Sequence, residues 1–246
     1  MVLYYVFLEN GGRRYLSAMH VANNTGGSGM SSVTTNDRTA DFFHGYAGGF
    51  NAIYGNDNTL FNTLLNKAFR GSMRERFERA VDGCKPAEGK TILDVGCGPG
   101  HYGVALALDG AKEVVGIDFA KGMLDTARRN ADAAGVSKVC TFIEGDFLAT
   151  DFDRTFDFAI LTGFMDYMDD PVRVAQKAAS VVTKRAFFSF PSSRGFLALQ
   201  RAVRYKARCD LYLYTEAQVS SILRHTGKRF EVRSIGRDYF ATVYAD

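Results

Sequence analysis

Three glycines set one residue apart, Gly96, Gly98 and Gly100, follow directly on an apolar run, Ile92-Leu93-Asp94-Val95, that carries a single acid. Glycines in this spacing let a backbone turn sharply and approach a ligand closely. Where such a turn joins a strand to a helix, the helix start adds unpaired N–H groups and a positive end. A dinucleotide site would space its glycines Gly-x-Gly-x-x-Gly. Counted from Gly96, the last of those positions falls on His101, so the spacing here is a different one. Asp94 is itself informative. An acid at the end of an apolar strand is costly unless backbone N–H groups or a cationic ligand satisfy it.

The elements that must position these residues follow from periodicity. Short apolar runs at Thr91 to Val95, Glu113 to Ile117, Cys140 to Glu144, Phe156 to Thr162 and Arg185 to Phe190 read as strands. Between them lie helical patterns: His101 to Leu108, Lys121 to Ala134 with Met123, Leu124, Ala127 and Ala131 on one face, and a helix opened by Pro171 that carries Val172, Ala175, Ala178 and Val182. Thr215 is expected to cap a last helix ending near Gly227, before two closing strands, Phe230 to Ser234 and Tyr239 to Tyr244. Such alternation predicts an α/β fold, a doubly wound and mostly parallel sheet with an antiparallel strand at its C-terminal edge. In this architecture ligands bind beyond the carboxyl ends of the strands at the topological switch point, where the glycine turn falls.

Ahead of this pattern, aromatics recur from Phe42 to Phe77, and Leu60, Leu64, Leu65, Ala68 and Phe69 have helical spacing, so amphipathic helices are expected there with Asn58 or Thr59 as N-cap. Residues 1–39 are read as disordered or as an extension, with Met30 an alternative start, because Asn-Asn-Thr-Gly-Gly-Ser-Gly gains little by burial. The expected division is 1–39, a helical cap over 40–84, and a ligand-binding domain over 85–246 with an insertion at about 192–214.

Composition narrows the function classes. With 246 residues, 46% hydrophobic and 23% charged, the chain reads as a globular domain of ordinary size with accessory elements. No apolar run approaches the roughly 20 residues of a membrane span. The opening run Val2 to Leu8 lacks the basic start and small-residue cleavage site of a leader. Four scattered cysteines, Cys84, Cys97, Cys140 and Cys209, show neither disulfide framework nor zinc spacing, which predicts a reducing, cytoplasmic setting. A net charge of +3 is too small to argue for nucleic acid.

Asp94-Val95-Gly96-Cys97-Gly98-Pro99-Gly100 resembles the first motif of class I S-adenosylmethionine (SAM)-dependent methyltransferases, bacterial small-molecule type. Three further stretches match in order. Val115-Gly116-Ile117-Asp118 is similar to the family's second strand, whose acid holds the ribose hydroxyls; a carboxylate suits a vicinal diol. Phe119 and Met123 then stand where the family packs apolar side chains on adenine. Glu144-Gly145-Asp146-Phe147 resembles its Gly-Asp pair, whose acid accepts from the adenine amino group, and Phe156 to Gly163 resembles its fourth motif, with Thr162 and Gly163 beside the methionine moiety. The resemblance runs from about Lys90 to Asp246, with a looser match over Phe50 to Gly55 and Met73 to Phe77. It implies a seven-stranded Rossmann-like sheet and SAM bound by Asp94, Gly96, Cys97, Gly98, Gly100, Asp118 and the residues just named.

For the methyl acceptor, the residues offer less. Transfer requires a nucleophile in line with the methyl and water excluded; a base helps an alcohol or phenol. Asp166 and Tyr167, after the fourth strand, and His44, in the aromatic N-terminal region, are the candidate bases. The fifth strand ends Phe188-Ser189-Phe190-Pro191-Ser192-Ser193 without acid or Asn, so no metal is expected. In the expected lid, Arg194, Arg201, Arg204, Lys206 and Arg208 stand against one acid, Asp210, among aromatic and apolar residues. That charge predicts an anionic or amphiphilic small molecule accepting at O or N. RNA or protein methylation, a membrane-surface lid and a non-catalytic SAM-binding module are the alternatives. The chain is expected to be a monomer or a homodimer.

Overall fold

A computed structural model describes 8–10 and 13–15, a small antiparallel hairpin, together with 60–194 and 211–246; side-chain surroundings are described from residue 71 onward. The main sheet consists of β1 (Thr91–Val95), β2 (Glu113–Asp118), β3 (Cys140–Glu144), β4 (Phe156–Leu161), β5 (Val182–Pro191), β6 (Phe230–Ile235) and β7 (Asp238–Tyr244). The helices are α1 (Leu60–Gly83), α2 (His101–Leu108), α3 (Lys121–Ala133), α4 (Pro171–Ser180) and α5 (Glu216–Arg224).

The seven strands are ordered β3-β2-β1-β4-β5-β7-β6. β1 to β5 pair in parallel, as strands joined by crossover helices do. β7 pairs antiparallel with both β5 and β6, so the reversed strand lies one place inside the edge that β6 forms. The chain steps outward from β1 in both directions, and the cleft between β1 and β4 is the switch point.

Alternation along each strand assigns the two faces. Ile92, Val114, Phe158, Ile160, Phe187 and Phe240 pack with α1, α2 and α3 through Ala80, Leu106, Leu124 and Ala127. Their neighbours Leu93, Val115, Ala159, Leu161, Phe188 and Ala241 pack on the opposite face with α4 and α5 through Val174, Ala178, Val219 and Leu223. This period of two is what a pleated strand imposes. Each fully buried Val, Leu, Ile or Phe among them contributes roughly 1.5–3 kcal/mol over exposure.

The expected cap holds: Thr215 forms a capping box with Gln218. Asp170 caps α4 by accepting from the Arg173 amide at 3.0 Å. Val182, expected on the helix opened by Pro171, is instead the first residue of β5 and pairs with Phe156. The helix stops at Ser180 because Val181-Val182-Thr183, three β-branched residues in a row, favour an extended chain. The expected helices ahead of the domain include one continuous helix, α1, whose C-terminal end enters the core through Ala80 and Val81. Asn58, Thr59 and residues 16–59 lie outside the described residues. No helix among the described residues is long and apolar enough to cross a membrane.

Candidate functional site

The turn between β1 and α2 is tied to its neighbour by backbone groups. The Gly96 and Cys97 amides donate to the Ile117 carbonyl at 2.8 and 3.1 Å, and the Gly100 amide to the Cys97 carbonyl at 2.9 Å. Two glycines are needed for different reasons. Gly96 has φ 63°, and a Cβ there would come within 2.7 Å of the Phe164 ring. Gly98 has φ 51°, and a Cβ there would meet nothing within 4 Å, so its face opens onto space. From behind, the buried Asn130 of α3 donates Nδ2 to the Pro99 carbonyl at 2.8 Å. Cys97 is buried beneath the turn, where burial and then Asp94 push its thiol pKa well up and leave it inert.

Asp94 is 2% exposed, and its Oδ2 has no hydrogen-bond partner among the described residues. Burial pushes its pKa up to about 7; Asp118 adds to the rise, while the Gly103 amide opposes it. Asp118, at the end of β2, accepts from the Gly98 amide through Oδ2 at 2.9 Å and from the Ala120 amide through Oδ1 at 2.8 Å. A carboxylate oxygen has capacity for more than one donor. Phe119 is half-buried and Met123 buried. After β3, Gly145 donates to the Asp118 carbonyl at 3.0 Å, Asp146 accepts from the Leu148 amide through Oδ1 at 2.6 Å, and Phe147 is buried. These groups fit the expected donor. The unpartnered Asp94 oxygen suits a cation, Asp118 suits a diol, and the space over Gly98 admits close approach.

The other half of the cleft is built on β4 and β5. Thr162 and Gly163 follow β4 and are half-buried. The Gly163 amide donates to Ser189 Oγ at 2.7 Å, and that hydroxyl also accepts from Arg76 Nη1 of α1 at 3.3 Å. Arg76 pairs in turn with Asp238 at 3.5 Å, with side-chain exposures of 12% and 3%. Phe164 lies edge-on to Phe147 at 6.2 Å and closes the gap between the two halves. Asp166 and Tyr167 form a short 3-10 turn, with Asp166 only 3% exposed and Tyr167 half-buried. The Tyr212 amide donates to the Asp166 carbonyl at 2.9 Å, and the Tyr214 hydroxyl to the Met165 carbonyl at 3.0 Å. Burial, then the nearby Asp166, raises the Tyr214 pKa.

The structure therefore gathers Asp94, the glycine turn, Asp118, Phe119, Met123, Gly145, Asp146, Phe147, Thr162 and Gly163 at the carboxyl ends of β1 to β4. Asp166 and Tyr167 stand beside that group, after β4. His44, Arg201, Arg204, Lys206 and Arg208 lie outside the described residues. Sequence reasoning missed Asn130, Phe164, Ser189, Arg76 and Asp238. Two of these carried a signal: Asn130 interrupts the apolar face of α3, and Ser189 interrupts the run Phe187-Phe188-Ser189-Phe190. A polar residue in a buried stripe implies a polar partner.

Residues 86–226 match a family described as a methyltransferase domain. Among proteins of known role, the chain is 34% identical over 105 residues to a ubiquinone biosynthesis O-methyltransferase of Neisseria meningitidis, covering 42% of this chain and 43% of that protein. It is 42% identical over 114 residues to a demethylmenaquinone methyltransferase of Thermus thermophilus, covering 45% and 49%. The matches thus span less than half the length of these curated relatives. The solved magnesium protoporphyrin IX methyltransferase of Synechocystis, with bound S-adenosylhomocysteine (SAH), has the same fold, with a TM-score of 0.67 at 19% identity over 85% of this chain and 98% of that one.

Proposed function

The chain belongs to the class I SAM-dependent methyltransferase family, and on that premise we propose that it methylates an oxygen or nitrogen of a small, anionic or amphiphilic acceptor. One observation carries the reading: a buried Asp94 oxygen without a partner among the described residues stands beneath an open glycine turn, beside Asp118. SAM supplies an electrophilic methyl on a sulfonium. Asp94 offers the charge that balances a cationic ligand, Asp118 takes the ribose hydroxyls, and Gly145, Asp146 and Phe147 border the adenine. Thr162 and Gly163 border the methionine moiety, with Gly163 fixed by Ser189.

The acceptor side is read from residues 192–214. Ser192 pairs with Tyr214, the Ser193 amide donates to the Tyr214 carbonyl at 2.8 Å, and Tyr214 returns a bond to Pro191 at 2.9 Å. The insertion therefore leaves and rejoins the fold at one point, beside Asp166. Its excess of Arg and Lys supports an acceptor with an anionic head. The relatives named for ubiquinone biosynthesis and for demethylmenaquinone support an acceptor of small-molecule size. Alignment and water exclusion do most of the work in such a transfer, with Asp166 or Tyr167 taking the acceptor proton where one is released. We read residues 40–84 as a cap beside the methyltransferase domain at 85–246.

Turnover with methyl-labelled SAM across phenols, carboxylates, amines and RNA tests the proposal. Label on a small phenol, acid or amine is expected. Label on RNA alone would overturn the acceptor class, and SAM binding without any transfer would identify a non-catalytic module.

A further inference from the structure

Lys177 of α4 turns its ammonium into the protein. Nζ donates to the Leu148 carbonyl at 3.1 Å and to the Thr150 carbonyl at 2.5 Å. It also lies over the rings of Phe147 and Phe152, at 5.4 and 5.8 Å from their centroids. A lysine is among the most mobile and most strongly hydrated side chains, so fixing one here costs rotamer freedom and hydration. Two carbonyls and two ring faces repay that cost, and together they define what the residue holds: the loop that follows β3.

The same loop is organised from within. Asp146 accepts from the Leu148 amide, and its carbonyl accepts from the Thr150 amide at 2.9 Å and the Thr150 hydroxyl at 2.8 Å. Gly145 joins it to the end of β2 through the Asp118 carbonyl. These bonds close the turn on itself but do not anchor it to the layer of helices below. Lys177 supplies a hydrogen-bonded anchor through two carbonyls that lie outside the strands and helices, beside the packing of Phe147 and Phe152 on α4. Gly145, Asp146 and Phe147 stand at the start of this loop, where β3 meets the cleft.

We infer that Lys177 is a positioning residue for the nucleoside end of the donor site, holding the loop from Gly145 to Asp151 in place without touching the donor. The inference rests on the reading above that this loop borders the adenine. Arginine at 177 can still donate to both carbonyls, whereas methionine keeps the packing on Phe147 and Phe152 and loses the donors.

The experiment uses the full chain and two readouts. Amide hydrogen exchange of Leu148, Ala149 and Thr150 is followed without ligand, and SAH binding is measured by calorimetry. In Lys177→Met we expect faster exchange at these amides, an SAH Kd raised about ten-fold, and recovery of most of that loss in Lys177→Arg. At saturating SAM, kcat should stay within about two-fold of wild type, as for a residue that acts on ground-state binding. Unchanged exchange would overturn the clamp and leave the donor-site reading intact. Faster exchange with an unchanged SAH Kd would overturn the inference and remove this loop from the donor site. If Lys177→Met does not fold, Lys177→Gln, which loses the charge and shortens the reach to the two carbonyls, is judged by the same two readouts.

Discussion

The two halves of the cleft are built on opposite plans. In the half proposed for the donor, Asp94, Gly98, Asp118 and Asp146 come from three consecutive strand ends, and the Asp118 and Asp146 carboxylates accept from backbone amides a few residues or one strand away. In the other half, Gly163 is fixed by Ser189, Ser189 by Arg76, and Arg76 by Asp238. Those four residues come from the turn after β4, from β5, from the helix before the sheet and from the last strand of the chain. A site made of local turns recurs as a motif. A site made by long-range assembly leaves only isolated polar residues in apolar surroundings. The first half should therefore fail sharply in SAM binding when one residue is altered, while changes in the second, which holds Gly163 beside the proposed methionine moiety, should weaken SAM binding more gradually.

The largest effect is expected from Gly98→Val. Its side chain would project into the open face, and a β-branched residue at φ 51° is strained by roughly 1–3 kcal/mol. Calorimetry should detect no SAM binding, while circular dichroism shows the sheet retained. Binding at wild-type affinity would mean that the turn faces something else.

Next is Asp118→Ala, which removes the acceptor of the Gly98 and Ala120 amides as well as the proposed partner of the ribose. A loss of roughly 2–4 kcal/mol in SAM affinity is expected, from polar groups left unpaired. An unchanged Kd in a folded variant would remove the ribose from this position.

The proposed role of the basic segment at 192–214 is tested by neutralising Arg201 and Arg204 together. Acceptor KM should rise, by roughly 1.5–3 kcal/mol per contact if sheltered and much less if exposed, with SAM affinity almost unchanged. A steep salt dependence of the loss would point to a polyanion such as RNA. Unchanged kinetics at low and high salt would identify a solvated segment.

The last effect is a pH dependence. Because burial raises the Asp94 pKa to about 7, the folded chain holds this proton where the unfolded chain has lost it. Its contribution to stability is present in full below the unfolded value of 3.8 and is lost as pH rises through about 7. The ligand-free Tm should therefore fall between about pH 4 and about pH 7 and level off above. SAM affinity should rise over the same window, since a cation favours the carboxylate. Asp94→Asn should flatten both curves, and a variant that keeps them would assign the titration elsewhere.

How much of this was legible follows the same division. β1 and β3 were bounded correctly from their apolar runs, because each lies between turn signals. Val182 was misplaced because its spacing from Ala175 and Ala178 also fits a helix, and the β-branched run decided against it. Asn130 and Ser189 were readable only as anomalies, since the Pro99 carbonyl and the Gly163 amide that need them are far away in sequence. Arg76 and Asp238 gave no signal at all. An ion pair between the helix ahead of the sheet and the last strand has no local pattern.

The central claim is that the donor lies across the glycine turn with its ribose on Asp118. A crystal structure of the chain with SAH tests it most directly. The ribose hydroxyls should lie about 2.6–3.2 Å from the Asp118 carboxylate, with the adenine against Gly145 to Phe147. SAH bound elsewhere, or in this cleft with its ribose away from Asp118, would contradict the account.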